Sequence, residues 1–310
     1  MNKNKLSVKN NRVSSIIFCV LALAVPVAHF VFMFVLQNGG TIILSFQEFS
    51  METGKFEWVG WKNFQVIPRV LFSPINEFPI ALRNSLYFFL LNNFLILPLS
   101  ICCAILCYKR MPMGNIFRVI LFLPTIVSPV ILAMVYTFAF DSSIGFITSL
   151  LRIMGLENVI PMHGFLADPD TALPLLLVYC VWIGIGGSII LVTGAITKIP
   201  DELFEVGRLN GLKFLQEVWY IILPLIGSTV SILFLQGLGV ILGFYMPSLL
   251  ITGGRAETTT VGLFMISLVQ SGQANYGFSA AISIVSTLIM TPIILLGRFG
   301  VNRLFPAYEY

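Results

Sequence analysis

Charged and apolar side chains alternate within one short polar stretch, residues 199–211, in the middle of an otherwise apolar sequence. Its charged members are Asp201, Glu202, Glu205 and Arg208. Carboxylates and a guanidinium at this spacing can form ion pairs with another protein, while the apolar residues between them fill a groove. The pattern therefore predicts recognition rather than bond-breaking. A connector that rests on lipid headgroups is the alternative that these residues leave open.

Residues that could bind metal or break bonds are few and scattered. The two histidines, His29 and His163, have no His or Cys group at metal-ligand spacing beside them, so no metal site is predicted. No G-x-x-x-x-G-K-[ST] phosphate loop occurs, and Gly184 belongs to a glycine-rich run within an apolar segment, where small residues favour close helix packing. We therefore predict no catalytic residue in this chain.

Composition indicates the elements that must position the polar stretch. Of 310 residues, 57% are hydrophobic and 10% are charged, against roughly 45–50% and about 25% in soluble proteins. Six runs are long enough to cross a bilayer as helices, and none shows the alternation of a barrel strand. The sequence predicts an all-α polytopic membrane protein with six transmembrane helices. The runs are residues 16–36, 86–107, 119–140, 173–196, 218–245 and 278–296.

The distribution of charge predicts which helix ends face the cytoplasm. With the amino terminus inside, the inside segments hold 12 Lys and Arg residues and the outside segments hold 6. Acidic residues show the opposite bias, with 5 inside and 9 outside. Both termini are therefore predicted to be cytoplasmic. Because the net charge of +4 follows from this topology, no contact with nucleic acid is predicted.

None of the six apolar runs contains Lys, Arg, Asp or Glu. Proton-coupled transporters and voltage sensors need ionisable groups within the membrane. If this chain moves a solute uphill, the energy must therefore come from outside its membrane part. Sodium coupling through backbone carbonyls is not excluded by this argument, but nothing in the sequence supports it.

The polar stretch carries the signals of a short helix. Pro200 suits a first helical position, and the acidic pair after it favours the positive end of a helix dipole. Asn210-Gly211 is a typical helix end. The sequence thus predicts a helix of about nine residues in the connection between the fourth and fifth crossings.

The same stretch resembles the EAA loop of ABC importer permeases, in the form found in carbohydrate permeases. That pattern is approximately I-P-x-E-L-x-E-A-A-x-x-D-G-A, followed by an aromatic residue and I-x-L-P. Glu205, Gly211 and Pro224 match its glutamate, glycine and proline. Small or apolar character survives at most of the positions that differ. The departures are Val206, Gly207, Asn210 and Leu212.

Other segments resemble the same permeases in the same order along the chain. Ordered matches over about 40 to 300 are far more specific than one motif, and the chain is identified as a member of the binding-protein-dependent sugar permeases. The resemblance implies the type I ABC importer permease fold with a cytoplasmic coupling helix. The predicted organisation is a cytoplasmic tail (1–15), a six-helix permease domain (16–296) with an EAA-type coupling loop (197–217), and a second cytoplasmic tail (297–310). The matching segments are residues 44–46, 59–64, 81–86, 117–118, 123–124, 128–130, 251–254, 259–260 and 276–281.

The resemblance implies a transport subunit, not an enzyme, that forms half of the translocation path for a sugar or oligosaccharide. Its implied partners are a second homologous permease in a heterodimer, two cytoplasmic ATPase subunits, an extracellular or periplasmic solute-binding protein, and membrane lipid. ATP and Mg belong to the ATPases, and this chain needs no cofactor. The implied location is the bacterial cytoplasmic membrane, with multiple passes.

The resemblance also implies two sets of site residues. Contact with the ATPase is expected from Leu203, Phe204, Glu205, Gly207, Asn210 and Gly211, with Glu205 as the main polar contact. The substrate path is expected along the helices that flank the loop, although aromatic residues near helix ends also serve as interface anchors. The path candidates are Tyr179, Trp182, Gly184, Gln236 and Tyr245.

Three other functions stay open at this point. The solute could be glycerol phosphate or another small molecule instead of a saccharide. The chain could act alone as a gradient-driven carrier, although it lacks intramembrane charges and an evident inverted repeat. It could also be a membrane receptor or scaffold. Co-purification with an ATPase would separate a receptor from an importer subunit.

Overall fold

The computed structural model describes residues 3–73, 77–109, 114–270 and 275–304. The extreme ends of the two predicted tails, residues 1–2 and 305–310, lie outside these ranges. The first half of the chain forms α1 (Lys3–Ser45), β1 (Gln47–Ser50), β2 (Lys55–Trp58), α2 (Lys62–Phe72), α3 (Phe78–Leu91), a π-helix (Asn92–Ile96), α4 (Leu97–Tyr108), α5 (Gly114–Ile126), α6 (Pro129–Ala139) and α7 (Phe146–Ile153).

The second half is also almost entirely helical. It forms a 3₁₀ turn (Glu157–Val159), α8 (Pro169–Ile196), α9 (Asp201–Leu209), α10 (Phe214–Glu217), a second π-helix (Val218–Ile222), α11 (Leu223–Leu225), α12 (Gly227–Gly243), α13 (Met246–Ile251), α14 (Val261–Gln270) and α15 (Tyr276–Leu304).

Among the described residues, six helical segments are long and apolar enough to cross a membrane, when each bent pair of helices counts as one. The four unbroken segments are Ser14–Ser45, Phe78–Tyr108, Pro169–Ile196 and Tyr276–Val301. The two bent pairs are Val119–Ile126 with Pro129–Ala139, and Phe214–Leu225 with Gly227–Gly243. The predicted number and order of crossings are confirmed.

The third and fifth crossings are sharply bent, each next to a proline. The third crossing bends by 108° before α6. Ser128 has extended backbone angles there. The next residue is Pro129, whose ring would clash with Ser128 in a helical conformation. The fifth crossing bends by 71° after Pro224, which has no N–H to donate to the helix ladder.

The second crossing begins at Phe78, eight residues before the predicted start. The predicted run begins at Leu86 because it was defined by apolar residues without charge, and Arg83 lies just before it. In the structure, Asn84 is buried and its Nδ2 donates hydrogen bonds to the carbonyl oxygens of Glu257 (2.6 Å) and Thr259 (2.9 Å). The helix can therefore include this residue, since both hydrogen bonds from its amide nitrogen are made within the protein.

The connection between the first two crossings contains a small folded unit that the sequence did not predict. Strands β1 and β2 pair antiparallel, with Gln47 opposite Trp58, and α2 follows them. Asn63 of α2 donates from Nδ2 to the carbonyl oxygens of Ser45 and Gln47, each at 2.9 Å. These bonds attach the unit to the end of α1.

Three buried clusters form the core of the bundle. One lies beside α9 and includes Ile196, Phe204 and Ile222. The other two lie toward the opposite end, which we call the far end. By contrast, the apolar window of Ser14–Ser45 is 0% buried, so the first crossing presents its side chains to lipid or to another subunit.

Candidate functional site

The polar stretch forms a nine-residue helix, α9, in the connection between the fourth and fifth crossings. Pro200 is the residue before the helix, with φ −59° and ψ 135°, and not its first helical residue as predicted. Asp201 and Glu202 occupy the first turn and Arg208 the last turn, so each charge suits the helix dipole. The predicted length is confirmed.

The end of α9 is defined by an αL glycine. Gly211 has a φ of +74°, a conformation that suits glycine because it has no Cβ. The backbone N–H of Gly211 donates to the Arg208 carbonyl at 2.9 Å, and that of Leu212 donates to the Gly207 carbonyl at 3.0 Å. Asn210 donates from Nδ2 to the Val206 carbonyl at 2.8 Å. Asn210 and Gly211 thus end the helix and reverse the chain toward the fifth crossing.

The six residues expected to contact an ATPase divide between two faces of α9. Phe204 is 3% exposed within the cluster beside α9. Gly207 is also buried, and a Cβ there would lie 2.9 Å from Ile221 Cδ1. Both residues face the chain's own core in this structure, and their contact with a partner stays a prediction. The exposed members are Leu203, Glu205, Asn210 and Gly211.

Depressions border α9 on both sides. A polar one of about 500 Å³ is lined by residues that include Lys109, Asp201, Glu205 and Arg208. An apolar one of about 620 Å³ is lined by residues that include Leu203, Val206, Tyr220 and Pro224. Within the described ranges Glu205 forms no ion pair. The helix is therefore a ridge between two concave surfaces, with an unpaired carboxylate on the polar side.

An ion pair beneath α9 was not predicted from the sequence. Lys109, directly after α4, donates from Nζ to Oε1 of Glu217 in α10. The same Nζ lies 5.2 Å from the ring centroid of Phe204, a cation–π distance. A lysine just after the second apolar run and a glutamate just before the fifth were the signal that could have indicated this contact.

The candidate substrate-path residues do not share one open surface. Tyr179 is 1% exposed and packs against the rings of Tyr136, 5.0 Å away, and Trp182, 6.2 Å away. A Cβ at Gly184 would lie 3.0 Å from Ile96 Cδ1 of the first π-helix. In this structure Tyr179 belongs to the core and Gly184 permits helix packing, and the path role of both stays a prediction.

The remaining path candidates are more accessible. Trp182 is 43% exposed, Gln236 is exposed and Tyr245 is half-buried. Gln236 lies on α12, and Tyr245 follows that helix. Their path role stays a prediction.

A buried amide lies between the second and fifth crossings. Asn93, in the first π-helix, is 3% exposed, and neither atom of its carboxamide has a hydrogen-bond partner in the part of the chain that the structure describes. It lies directly against Gly237 of α12, where a Cβ would overlap the amide. The structure thus shows Asn93 packed closely on a glycine of the neighbouring crossing.

At the far end, a polar depression of about 330 Å³ is lined by residues that include Asp141, His163 and Arg255. Backbone N–H groups of Ile144 and Ser143 donate to Asp141 Oδ1 at 3.0 Å and 2.8 Å. These hydrogen bonds stabilise the carboxylate and lower the pKa of Asp141. The depression is therefore a polar recess with a negative charge at its edge.

The sequence model of one protein family matches residues 96–310, which is more than half of the chain and includes α9 and both of its depressions. The family is described as the binding-protein-dependent transport system inner membrane component. This chain belongs to that family. It is a permease, a multi-pass transport subunit that acts with ATPase subunits and a solute-binding protein and is not itself an enzyme.

Two relatives of this permease cover most of its length. The polygalacturonan/rhamnogalacturonan transport system permease protein YteP of Bacillus subtilis is 26% identical over 263 residues, 83% of this chain and 79% of the relative. The arabinooligosaccharides transport system permease protein AraP of Halalkalibacterium halodurans is 26% identical over 270 residues, 83% of this chain and 81% of the relative.

The fold is that of a solved transporter subunit. A chain in the crystal structure of a bacterial alginate ABC transporter, in complex with an alginate pentasaccharide-bound periplasmic protein, superimposes with a TM-score of 0.77. The match covers 94% of this permease and 96% of that chain at 20% sequence identity. The predicted ABC importer permease fold is confirmed.

Proposed function

We propose that this permease forms half of the translocation path for an oligosaccharide and receives the energy of ATP hydrolysis through α9. The single observation that carries the proposal is the exposure of Glu205 on a helix whose other face is anchored in the core. An unpaired carboxylate between two depressions offers charge and shape to a partner. In this proposal the ATPase contacts Leu203, Glu205, Asn210 and Gly211.

The names of related proteins support a saccharide as the solute. The two relatives described above are named for polygalacturonan or rhamnogalacturonan and for arabinooligosaccharides. The structural match is a transporter with an alginate pentasaccharide on its periplasmic protein. In the proposal the binding protein sets most of the specificity, because the spans of this permease contain few exposed polar groups.

The proposed orientation places α9 and both termini in the cytoplasm. Lys198, Arg208 and Lys213 lie around α9, whereas the connection before the fourth crossing, residues 141–168, has Arg152 as its one basic residue. This distribution follows the positive-inside rule. ATP and Mg would then bind to the ATPase subunits beneath α9, in the same compartment.

The proposed complex contains a second, homologous permease that supplies the other half of the path. The fully exposed apolar side of the first crossing supports a neighbouring membrane subunit or lipid at that surface. A heterodimer would let each permease contact one of the two ATPases. In the proposal the permease domain spans residues 16–296 and the coupling loop residues 197–217.

The test is reconstitution of the complete complex. A tagged form of this permease is purified from its host membranes, its co-purifying subunits are identified, and the complex is placed in vesicles with ATP inside. Uptake of labelled arabino-oligosaccharides, oligogalacturonides and glycerol phosphate is then measured with the binding protein outside.

We expect saccharide uptake that requires both ATP and the binding protein. Uptake of glycerol phosphate alone would contradict the proposed solute class. Concentration of solute by vesicles that contain this permease without any ATPase would contradict the proposed mechanism, since the chain would then be a gradient-driven carrier.

A further inference from the structure

The Lys109–Glu217 pair is far more shielded than the other ion pairs. Of the three that join residues in the described part of the chain, two have both side chains between 42% and 60% exposed. In the Lys109–Glu217 pair the side chains are 23% and 10% exposed. Exposed pairs contribute little to structure, whereas loss of one partner from a shielded pair leaves an uncompensated charge.

Each member of the pair also lies at a helix end that suits its charge. Lys109 is the residue that caps the carboxyl end of α4, where the helix dipole is negative. Glu217 lies in the first turn of the helix that begins the fifth crossing, where the dipole is positive. The pair therefore joins the ends of the second and fifth crossings, and the backbone of each crossing reinforces it.

The pair is connected to α9 through an aromatic ring. Phe204 projects from α9 so that Lys109 Nζ lies 5.2 Å from its ring centroid. Tyr108 lies on the same ring, with its centroid 6.0 Å away and the planes inclined by 37°. Displacement of α9 away from the second crossing would separate Phe204 from both residues.

A second contact joins α9 to the fifth crossing. The absence of a side chain at Gly207 lets the helix approach Ile221, which lies in the π-helix that follows Glu217. Ile221 also packs against the cluster that contains Phe204 and Ile222. The short helix is thus held against two crossings that are themselves joined by the ion pair.

We propose that Lys109 and Glu217 are positioning residues that transmit movement of α9 to the second and fifth crossings as one unit. This inference rests on the proposed contact between α9 and an ATPase. Without the pair, α9 could still bind the ATPase, but the two crossings would no longer follow its displacement together. The expected defect is in communication between the ATPase and the far end of the permease.

The experiment measures how strongly the binding protein stimulates ATP hydrolysis by the reconstituted complex. The binding protein is first incubated with a mixture of arabino-oligosaccharides and oligogalacturonides. The deciding variant combines Lys109→Met with Glu217→Gln, because it leaves neither charge unpaired. Arg298→Met is the matched control, since it removes one positive charge from an exposed position on α15 at the same end of the bundle.

We expect the double variant to assemble and its stimulation to fall by at least about fivefold, a typical size for coupling between distant sites. The single variant Phe204→Leu, which keeps apolar volume but removes the cation–π contact, should give a smaller loss. The Arg298→Met complex should be stimulated like the wild type.

Wild-type stimulation in the double variant would overturn the proposal. Failure of the double variant to assemble would overturn it too, because the pair would then serve folding instead of transmission. Stimulation of the wild-type complex is measured first, with its native binding protein as purified and with the saccharide mixture. If the binding protein stimulates hydrolysis as purified but not with the saccharide mixture, the saccharide assignment is contradicted. The variants can then still be compared with the binding protein as purified, so the test of the pair stays intact.

Discussion

The two ends of the helical bundle hold their connecting segments by different interactions. At the far end, the loop 252–260 is tied down by hydrogen bonds: Asn84 donates to it twice, and Ser248 Oγ donates to the Thr258 carbonyl at 2.6 Å. At the other end, α9 is held by one aromatic ring, one glycine contact and the ion pair beneath it. The far-end loop is thus fixed in detail, whereas α9 is anchored on one face and exposed on the other.

In the part of the chain that the structure describes, the non-glycine residues with positive φ angles lie in the loop 252–260. Ala256 and Glu257 have positive φ angles of 51° and 55°, which are unfavourable for residues with a Cβ. The Glu257 carbonyl accepts from Asn84, and its carboxylate pairs with Arg83 at 3.1 Å. Hydrogen bonds from the second crossing therefore compensate for strain at the far end. By contrast, α9 adopts unstrained geometry and depends on packing.

The largest effect should follow from breaking the far-end loop. Asn84→Ala removes the donor to two carbonyl groups and leaves that of Thr259 buried without it, which should destabilise the protein by roughly 1–3 kcal/mol. Thermal unfolding of the purified permease in detergent would show the loss. Asn38→Ala is the control, because Asn38 donates one hydrogen bond at an exposed site. Equal unfolding temperatures for the two variants would contradict the claim that hydrogen bonds from Asn84 hold the far-end loop.

The next effect concerns the packing of the second crossing against the fifth. Gly237→Ala places a methyl group against the Asn93 amide, and overpacking of this kind costs about 1–3 kcal/mol. Gly239→Ala is the matched control, since its added Cβ would meet no heavy atom within 4 Å. We expect a lower unfolding temperature for Gly237→Ala and an unchanged unfolding temperature for Gly239→Ala. A larger loss for Gly239→Ala than for Gly237→Ala would contradict close packing of the two crossings at Gly237.

Reversal of charge on the exposed face of α9 should reduce transport without unfolding the permease. Glu205→Lys is expected to lower ATP-dependent uptake about tenfold, which corresponds to ~1.4 kcal/mol, because the proposed ATPase contact loses its carboxylate. Glu202→Lys applies the same charge change on the same helix. The assembled complex should be recovered in both cases. Uptake by Glu205→Lys equal to that of wild type would remove Glu205 from the coupling surface.

The smallest effect should follow from breaking an exposed ion pair. Lys62 and Glu48 pair at 2.6 Å with side chains 60% and 42% exposed, so Lys62→Met should change stability by no more than about 1 kcal/mol. Thermal unfolding at low and high salt would measure the change. A large destabilisation would mean that burial does not distinguish this pair from Lys109–Glu217.

The position of α9 could be predicted because its signals are local. Pro200, the acidic first turn and Asn210-Gly211 define the helix within one to two residues, whatever surrounds it. Which apolar residue faces the core could not be predicted, since Leu203, Phe204 and Val206 are equivalent until the neighbouring crossings are in place. The ion pair was missed for the same reason, as Lys109 and Glu217 are far apart in the sequence.

The number of crossings could be predicted from hydropathy, but their bends could not. Hydropathy reports the length of an apolar run, and a bend leaves that length unchanged. Prolines alone do not locate the bends, because Pro174 and Pro292 lie within continuous helices, while the helix before Pro129 ends. The early start of the second crossing depended on partners for Asn84 that come from more than 170 positions away.

The two π-helices have a geometric consequence for the crossings that contain them. Each adds one residue to a turn, so residues on either side are rotated by about 100° relative to an uninterrupted α-helix. In the second crossing, the π-helix Asn92–Ile96 separates Asn84 from Lys109. Deletion of a single residue from this π-helix would rotate Asn84, which supports the far-end loop, about the helix axis relative to Lys109. The angular relation between the two ends of the permease is thus set by chain length as well as by side-chain chemistry.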